Sequence, residues 1–212
     1  MALYLDSAIL PEAQAASQFG WVKGVTTNPT LLAKSDLSPE ETLKGLRELF
    51  AGEIYYQLAA LDFEGMVSEA WAAYNILGEQ TVLKVPATAL GFHVVSHLSP
   101  KICCSVTAIY SAAQAAVARE AGAKYAIAYV NRATRLLGDG VALVREMADI
   151  LAGSDTKILA ASIKSPAEAA ATLQAGAYHL TLPFDILQAL TTHELSERTV
   201  EEFSNNGRGL LD

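Results

Sequence analysis

Eight short apolar or β-branched runs recur along the chain: ALYLD at 2–6, GVTTN at 24–28, EIYYQL at 53–58, TVLKVP at 81–86, KICCSVT at 101–107, KYAIAYV at 124–130, KILAAS at 157–162 and YHLTLP at 178–183. Between them lie segments such as ETLKGLRELF, EGMVSEAWAAYNIL, SAAQAAVAREA, VALVREMADIL and SPAEAAATLQAG, where good helix formers carry apolar residues at helical spacing. The order is strand then helix, repeated. Eight such units in 212 residues leave about 26 residues each, which suits an α/β fold of the (β/α)8 TIM-barrel type with its helices outside. An open doubly wound sheet is the alternative. Against it, no GxGxxG turn follows any strand, and the even spacing shows no place where strand order would reverse. One domain, 1–212, is expected, with an additional C-terminal helix from LSERTVEEF, free to cover a barrel end or a partner subunit.

The helix boundaries support this division. Ser38-Pro39-Glu40 and Ser165-Pro166-Ala167-Glu168 read as a cap, a proline at the first helical position and an acidic residue in the first turn. Gly20 and Gly122 stand where helices should stop. With 51% hydrophobic residues the chain can close a large core, and its net charge of −8 opposes non-specific attraction to nucleic acid or anionic lipid. A phosphate-bearing ligand would therefore need a local basic site. The opening MALYLDSAIL lacks a basic leader and is interrupted by Asp6, so a cytoplasmic protein with no membrane span is expected. Cys103 and Cys104 are adjacent, too close for ordinary disulfide geometry, and read as free thiols.

TVLKVP raises the chemical question, because a lysine inside an apolar run loses solvation and its charged form is disfavoured. In barrel enzymes the chemistry lies at the C-terminal strand ends. Those ends carry Asp6, Asn28, Gln57, Lys84, Thr107, Tyr129 and Ser162, each on its own strand. Strand alternation places Val82 and Lys84 on the barrel axis and Leu83 and Val85 outside. The same parity sends Tyr55 and Gln57, Ser105 and Thr107, Ile127 and Tyr129, and Ala160 and Ser162 inward. A partly neutral, desolvated lysine attacks carbonyl carbon to give a Schiff base, whose protonated form lets a neighbouring carbon–carbon bond break. Tyr129 or Asp6 would shuttle protons, and Thr107 with Gln57 would hold a water. Plainer readings stand beside these. Lys84 alone fits a structural lysine paired with a buried carboxylate, Asp6 and Asn28 fit helix caps, and Tyr129 fits a core tyrosine. His93 and His97 are spaced as metal ligands on a helix, but no carboxylate or cysteine set accompanies them.

In order and spacing, GVTTNPTLLAK, VLKVPAT, TAIYSAAQA, YVNR and LAASIKSP resemble the transaldolase family, especially its small branch containing fructose-6-phosphate aldolase. The resemblance covers nearly the whole chain. It implies an eight-stranded α/β barrel with Lys84 as the Schiff-base lysine, and Asp6 and Asn28 binding the dihydroxyacetone portion. It further implies that Arg132 and Ser162 hold the sugar phosphate, that Thr107 and Gln57 position a catalytic water, and that no metal or organic cofactor is used. Thr26, from the same GVTTNP block, is placed with the substrate contacts. A ring-like homo-oligomer, two pentamers with the C-terminal helix reaching a neighbour, is implied as well.

Two positions divide the family. Transaldolases usually carry Glu and Phe where this chain has Gln57 and Tyr129, and the aldolase branch carries Gln and Tyr. Ala128 and Ile127 depart from the usual Pro and small residue of the sixth strand, and Ile127 would trim the donor pocket. The expectation is cleavage or formation of fructose 6-phosphate from dihydroxyacetone and glyceraldehyde 3-phosphate. The alternatives are transfer of dihydroxyacetone to erythrose 4-phosphate, or a non-catalytic barrel that binds a sugar phosphate.

Overall fold

In the computed structural model, residues 1–210 are described. Eight strands close into a parallel barrel in chain order. They are β1 (Ala2–Asp6), β2 (Val22–Thr26), β3 (Ile54–Gln57), β4 (Thr81–Pro86), β5 (Cys103–Ile109), β6 (Tyr125–Tyr129), β7 (Lys157–Ala161) and β8 (His179–Leu182). The helices before β5 are α1 (Leu10–Ser17), α2 (Pro29–Leu32), α3 (Pro39–Leu49), α4 (Phe63–Leu77) and α5 (Ala89–Leu98). Those after it are α6 (Ala112–Glu120), α7 (Val130–Leu137), α8 (Gly140–Leu151), α9 (Pro166–Gln174), α10 (Phe184–Ala189) and α11 (Glu194–Asn206). No helix among the described residues is long and apolar enough to cross a membrane.

Local chemistry sets the boundaries. Ser38 and Glu41 form a reciprocal capping box on α3, and Ser165 accepts from the Glu168 amide to start α9. Asp139 caps α8 by accepting from the amides of Val141 and Ala142. Gly20 and Gly122 close helices at φ 72° and 84°. β2 ends at Thr26, two residues short of the expected GVTTN run, because the Asn28 side chain accepts from the Leu31 amide and starts α2. Gly24 is required where β2 meets the start of β3, since a Cβ there would lie 2.1 Å from the Glu53 carbonyl oxygen.

Alternation splits the apolar residues into two compartments. Leu83, Val85, Val106, Ala126 and Ala128 pack outward against the helices, whereas Tyr4, Tyr55, Val82, Tyr125 and Ile127 fill the barrel interior. The expected facing therefore holds for β3, β4 and β6. It is reversed in β7, where Leu159 and Ala161 point inward and Ala160 outward. Ser162 nonetheless reaches the barrel mouth, because it leaves the strand at φ 59° and turns the chain. β5 carries a second left-handed residue, Ala108 at φ 59°, within an irregular stretch of its pairing with β6.

The N-terminal end of the barrel is closed by one carboxylate. Glu53 accepts from the hydroxyls of Tyr4 (2.7 Å), Tyr55 (3.0 Å) and Tyr125 (2.7 Å) and from Lys124 Nζ (2.8 Å). Burial alone would raise the Glu53 pKa, but bonds from Lys124, Tyr4 and Tyr125 outweigh it and hold the carboxyl below its usual range. His179 packs edge-on against Tyr4 and Tyr125, and burial followed by the nearby N-terminal amine lowers its pKa to about 4. A base with a depressed folded pKa stabilises fully above its unfolded value of about 6.5 and loses that contribution as pH falls toward the folded one. Stability measured by urea unfolding is thus expected to fall by up to about 3 kcal/mol between about pH 6.5 and 4. His179→Phe should flatten that window, and an unchanged slope in the variant would show that other groups set it.

Candidate active site

The C-terminal strand ends surround a cavity of about 480 Å³. Lys84 comes from the middle of β4 and is 2% exposed, with Nζ donating to the Thr27 carbonyl at 2.8 Å. It pairs with no carboxylate among the described residues, so the reading as a structural ion pair is not met. Burial lowers its pKa from the ordinary lysine value, and the charge of Asp6 opposes this only in part. The result is an amine biased toward its neutral, nucleophilic form at the base of the cavity.

Around it, Asp6 ends β1, Asn28 starts α2 and Gln57 ends β3, and all three line the cavity. The Asn28 side-chain oxygen caps α2 by accepting from the Leu31 amide at 3.0 Å, and the residue also lines the cavity. Gln57 Oε1 is buried and meets no donor among the described residues, so it has acceptor capacity to offer a water or a hydroxyl. Tyr129, at the end of β6, accepts from Thr107 Oγ1 at 3.1 Å, so its own hydroxyl hydrogen remains free for another acceptor. Burial raises the Tyr129 pKa, with the Thr107 bond and Arg132 acting the other way and Asp6 adding to the rise. The Arg132 guanidinium lies 5.1 Å from the centre of the Tyr129 ring, in the first turn of α7. The Asn131 amide bonds the Ser162 carbonyl at 2.9 Å and ties the start of α7 to the end of β7.

Seven of the nine candidates, Asp6, Asn28, Gln57, Lys84, Tyr129, Arg132 and Ser162, share this cavity. Thr107 stands behind Tyr129. Thr26 does not line the cavity: it is fully buried and its hydroxyl is engaged by Asp6 and Thr181. Ile127 points inward but packs with Val82 and Leu159 rather than lining the cavity, so direct trimming of a donor pocket is not seen. His93 and His97 flank Phe63 at 4.6 and 5.4 Å between ring centroids. No group of three or more His, Cys, Asp or Glu side chains among the described residues could hold a metal.

Sequence reasoning missed two lysines at the mouth, Lys34 and Lys164. Both lie inside quoted blocks, NPTLLAK and SIKSP, where an exposed lysine at an element end reads as a solvated charge. With Arg132 they set three cationic side chains, beside the buried amine of Lys84, against one carboxylate, Asp6. This is the local basic site that a phosphorylated ligand needs on a chain of net charge −8. A larger hollow of about 730 Å³ runs along Val200–Gly209, but one stretch of chain forms it and no strand-end group lines it.

Residues 3–209 match the Transaldolase/Fructose-6-phosphate aldolase family. A probable transaldolase of Kosmotoga olearia is 36% identical over 209 residues, covering 97% of this chain and 95% of that protein. Another, from Heliobacterium modesticaldum, is 34% identical over 215 residues and covers the whole of both chains. Among solved structures, a mandelate oxidase with (S)-2-phenylpropionate superposes with a TM-score of 0.63 at 17% identity, over 87% of this chain and 64% of that one. An inosine 5′-monophosphate dehydrogenase from Legionella pneumophila gives 0.63 at 13% identity, over 87% and 58%. This chain spans less than two thirds of either enzyme, and the likeness is one of fold alone.

Proposed function

The chain belongs to the transaldolase/fructose-6-phosphate aldolase family, an enzyme family of carbohydrate metabolism, and from that premise we propose that it is a metal-independent Schiff-base aldolase acting on fructose 6-phosphate. The observation that carries this reading is the buried amine of Lys84, held in no direct ion pair, at the base of a cavity rich in cations.

Neutral Lys84 attacks C2 of the ketose, and loss of water from the carbinolamine leaves a protonated imine. The C3–C4 bond then breaks. Its electron pair moves into the imine to form an enamine, while the C4 hydroxyl proton passes to a base and the aldehyde departs. Tyr129, with a water positioned by Gln57 and Thr107, serves that proton transfer. Protonation of the enamine at C3 and hydrolysis of the new imine release dihydroxyacetone and regenerate the amine. Asp6 and Asn28 hold the donor hydroxyls. Arg132 and Ser162 hold the phosphate, with Lys34 and Lys164 adding positive charge at the mouth. Gln57 and Tyr129 are the family alternatives that favour release of a free ketone over transfer.

Transfer of dihydroxyacetone to erythrose 4-phosphate is the second reading, favoured by the name probable transaldolase carried by relatives at about 35% identity. Both reactions share one enamine, so the test is dependence on an acceptor. Fructose 6-phosphate alone is expected to yield free dihydroxyacetone, and product formation only after erythrose 4-phosphate is added would reverse the ranking. Borohydride with a ketone donor separates either enzyme from a sugar-phosphate-binding barrel, since only an imine becomes fixed at Lys84.

A homo-oligomer, as large as a decamer, and a cytoplasmic setting belong to the same proposal. Helix α11 buries none of its residues and exposes Leu195, Val200 and Phe203, an apolar face suited to packing on a neighbouring copy. Sedimentation as a monomer at micromolar concentration would remove the oligomer.

A further inference from the structure

Behind the donor side of the cavity, three side chains on adjacent strands join hydroxyl to hydroxyl to carboxylate. Thr26 Oγ1 on β2 donates to Asp6 Oδ1 on β1 at 2.8 Å. The same oxygen lies 2.6 Å from Thr181 Oγ1 on β8, a contact between residues 155 apart in sequence. Thr26 and Thr181 are 0% and 1% exposed, so water does not compete for either hydroxyl. A hydroxyl has one hydrogen, and an ionised carboxylate only accepts. The Thr26 hydrogen is committed to Asp6, and Thr26 must therefore receive the Thr181 hydrogen. The direction runs from Thr181 through Thr26 to Asp6.

We infer that Thr181 is a positioning residue for the reaction, acting through Thr26 to fix the rotamer of Asp6 beside Lys84. This deepens the aldolase reading and rests on it. A donor chain in a dry interior strengthens each of its bonds, and a bond to a charged acceptor counts for more than one to a neutral group. With Oδ1 held from the wall, Oδ2 is left to meet the donor hydroxyls and the protons that move during imine formation. Without Thr181, Thr26 is free to turn its hydrogen elsewhere, and Asp6 gains freedom where a small displacement is costly. Nothing in the YHLTLP run around β8 marks this threonine, since strand threonines at inward positions are ordinarily read as core filler.

The test is a pair of variants and a cycle. Thr181→Val keeps the shape and removes the donor, and Thr181→Ser restores it. Thr181→Val is expected to lower kcat about tenfold or more with KM for fructose 6-phosphate changed less than about threefold, and Thr181→Ser to recover most of the rate. In a Thr26→Val background the further change Thr181→Val should have no effect, because its route to Asp6 is already cut. Equal effects in both backgrounds, or a Ser variant as slow as the Val one, would overturn the inference. Should Thr181→Val fold poorly, the Ser variant and the single Thr26→Val still decide, since a relay requires Thr26→Val to be at least as slow as Thr181→Val measured at a temperature where it is folded. Borohydride trapping in the unaltered protein keeps the two readings apart: no adduct at Lys84 removes the aldolase itself, whereas a normal adduct with indifferent Thr181 variants removes only the relay.

Discussion

Lys84→Met is expected to remove activity by at least about a thousandfold and to abolish borohydride fixation of a ketone donor, with the protein still folded. The magnitude follows from the role, because no other amine in the cavity is buried beneath the donor groups and removal of a covalent nucleophile leaves only binding and orientation. The folded state should tolerate the change. Methionine has nearly the reach of lysine, its neighbours Leu83 and Val85 are apolar, and what is lost is one bond to the Thr27 carbonyl against the cost of holding an amine out of water. Urea unfolding is expected to show a change of no more than about 1 kcal/mol. In the unaltered enzyme, kcat/KM should rise with pH toward the lowered lysine pKa, since a larger share of the amine is then neutral. A methionine variant keeping a tenth of the normal rate would end the imine mechanism.

Tyr129→Phe is expected to lower the proposed cleavage of fructose 6-phosphate by about a hundredfold to ten-thousandfold and to leave the imine trappable. The two measurements separate because the phenol serves bond breaking, whereas condensation belongs to Lys84. Its hydroxyl is held by Thr107 from behind and its ring by Arg132 from the side, so the variant ring should keep its place while losing the exchangeable proton. Residual turnover that appears only with erythrose 4-phosphate would link the phenol to release of a free ketone. Unchanged cleavage would move the proton transfer to another group, with Asp6 the next candidate.

The barrel was legible because alternation and helix punctuation act locally, and the run TVLKVP already carried its buried lysine. What escaped were features decided by backbone irregularity or by contacts across strands. The inward facing assigned to Ala160 failed because β7 runs one residue out of phase, and Ser162 regained the cavity through a left-handed turn that serine does not advertise. Thr26 was placed with the substrate contacts through the GVTTNP block, but it is buried behind Asp6 against Thr181, which lies 155 residues away. Lys34 and Lys164 were visible as letters only, since a charge at an element end carries no mark of the direction in which it points. His179 gave no signal, and its depressed pKa comes from an aromatic setting assembled from β1 and β6.

Under the proposed function, the cations gathered at one end of an acidic protein would also govern how substrate arrives. A sugar phosphate approaching the flank is repelled by the overall charge of −8, and one approaching the mouth meets Lys34, Arg132 and Lys164. Such a field steers diffusional encounter toward a single orifice, yet it reaches only about 8 Å in physiological salt. Ionic strength should therefore bear on the capture rate of phosphorylated sugars far more than on the turnover of bound ones, and an uncharged aldehyde of the same length should enter indifferent to salt.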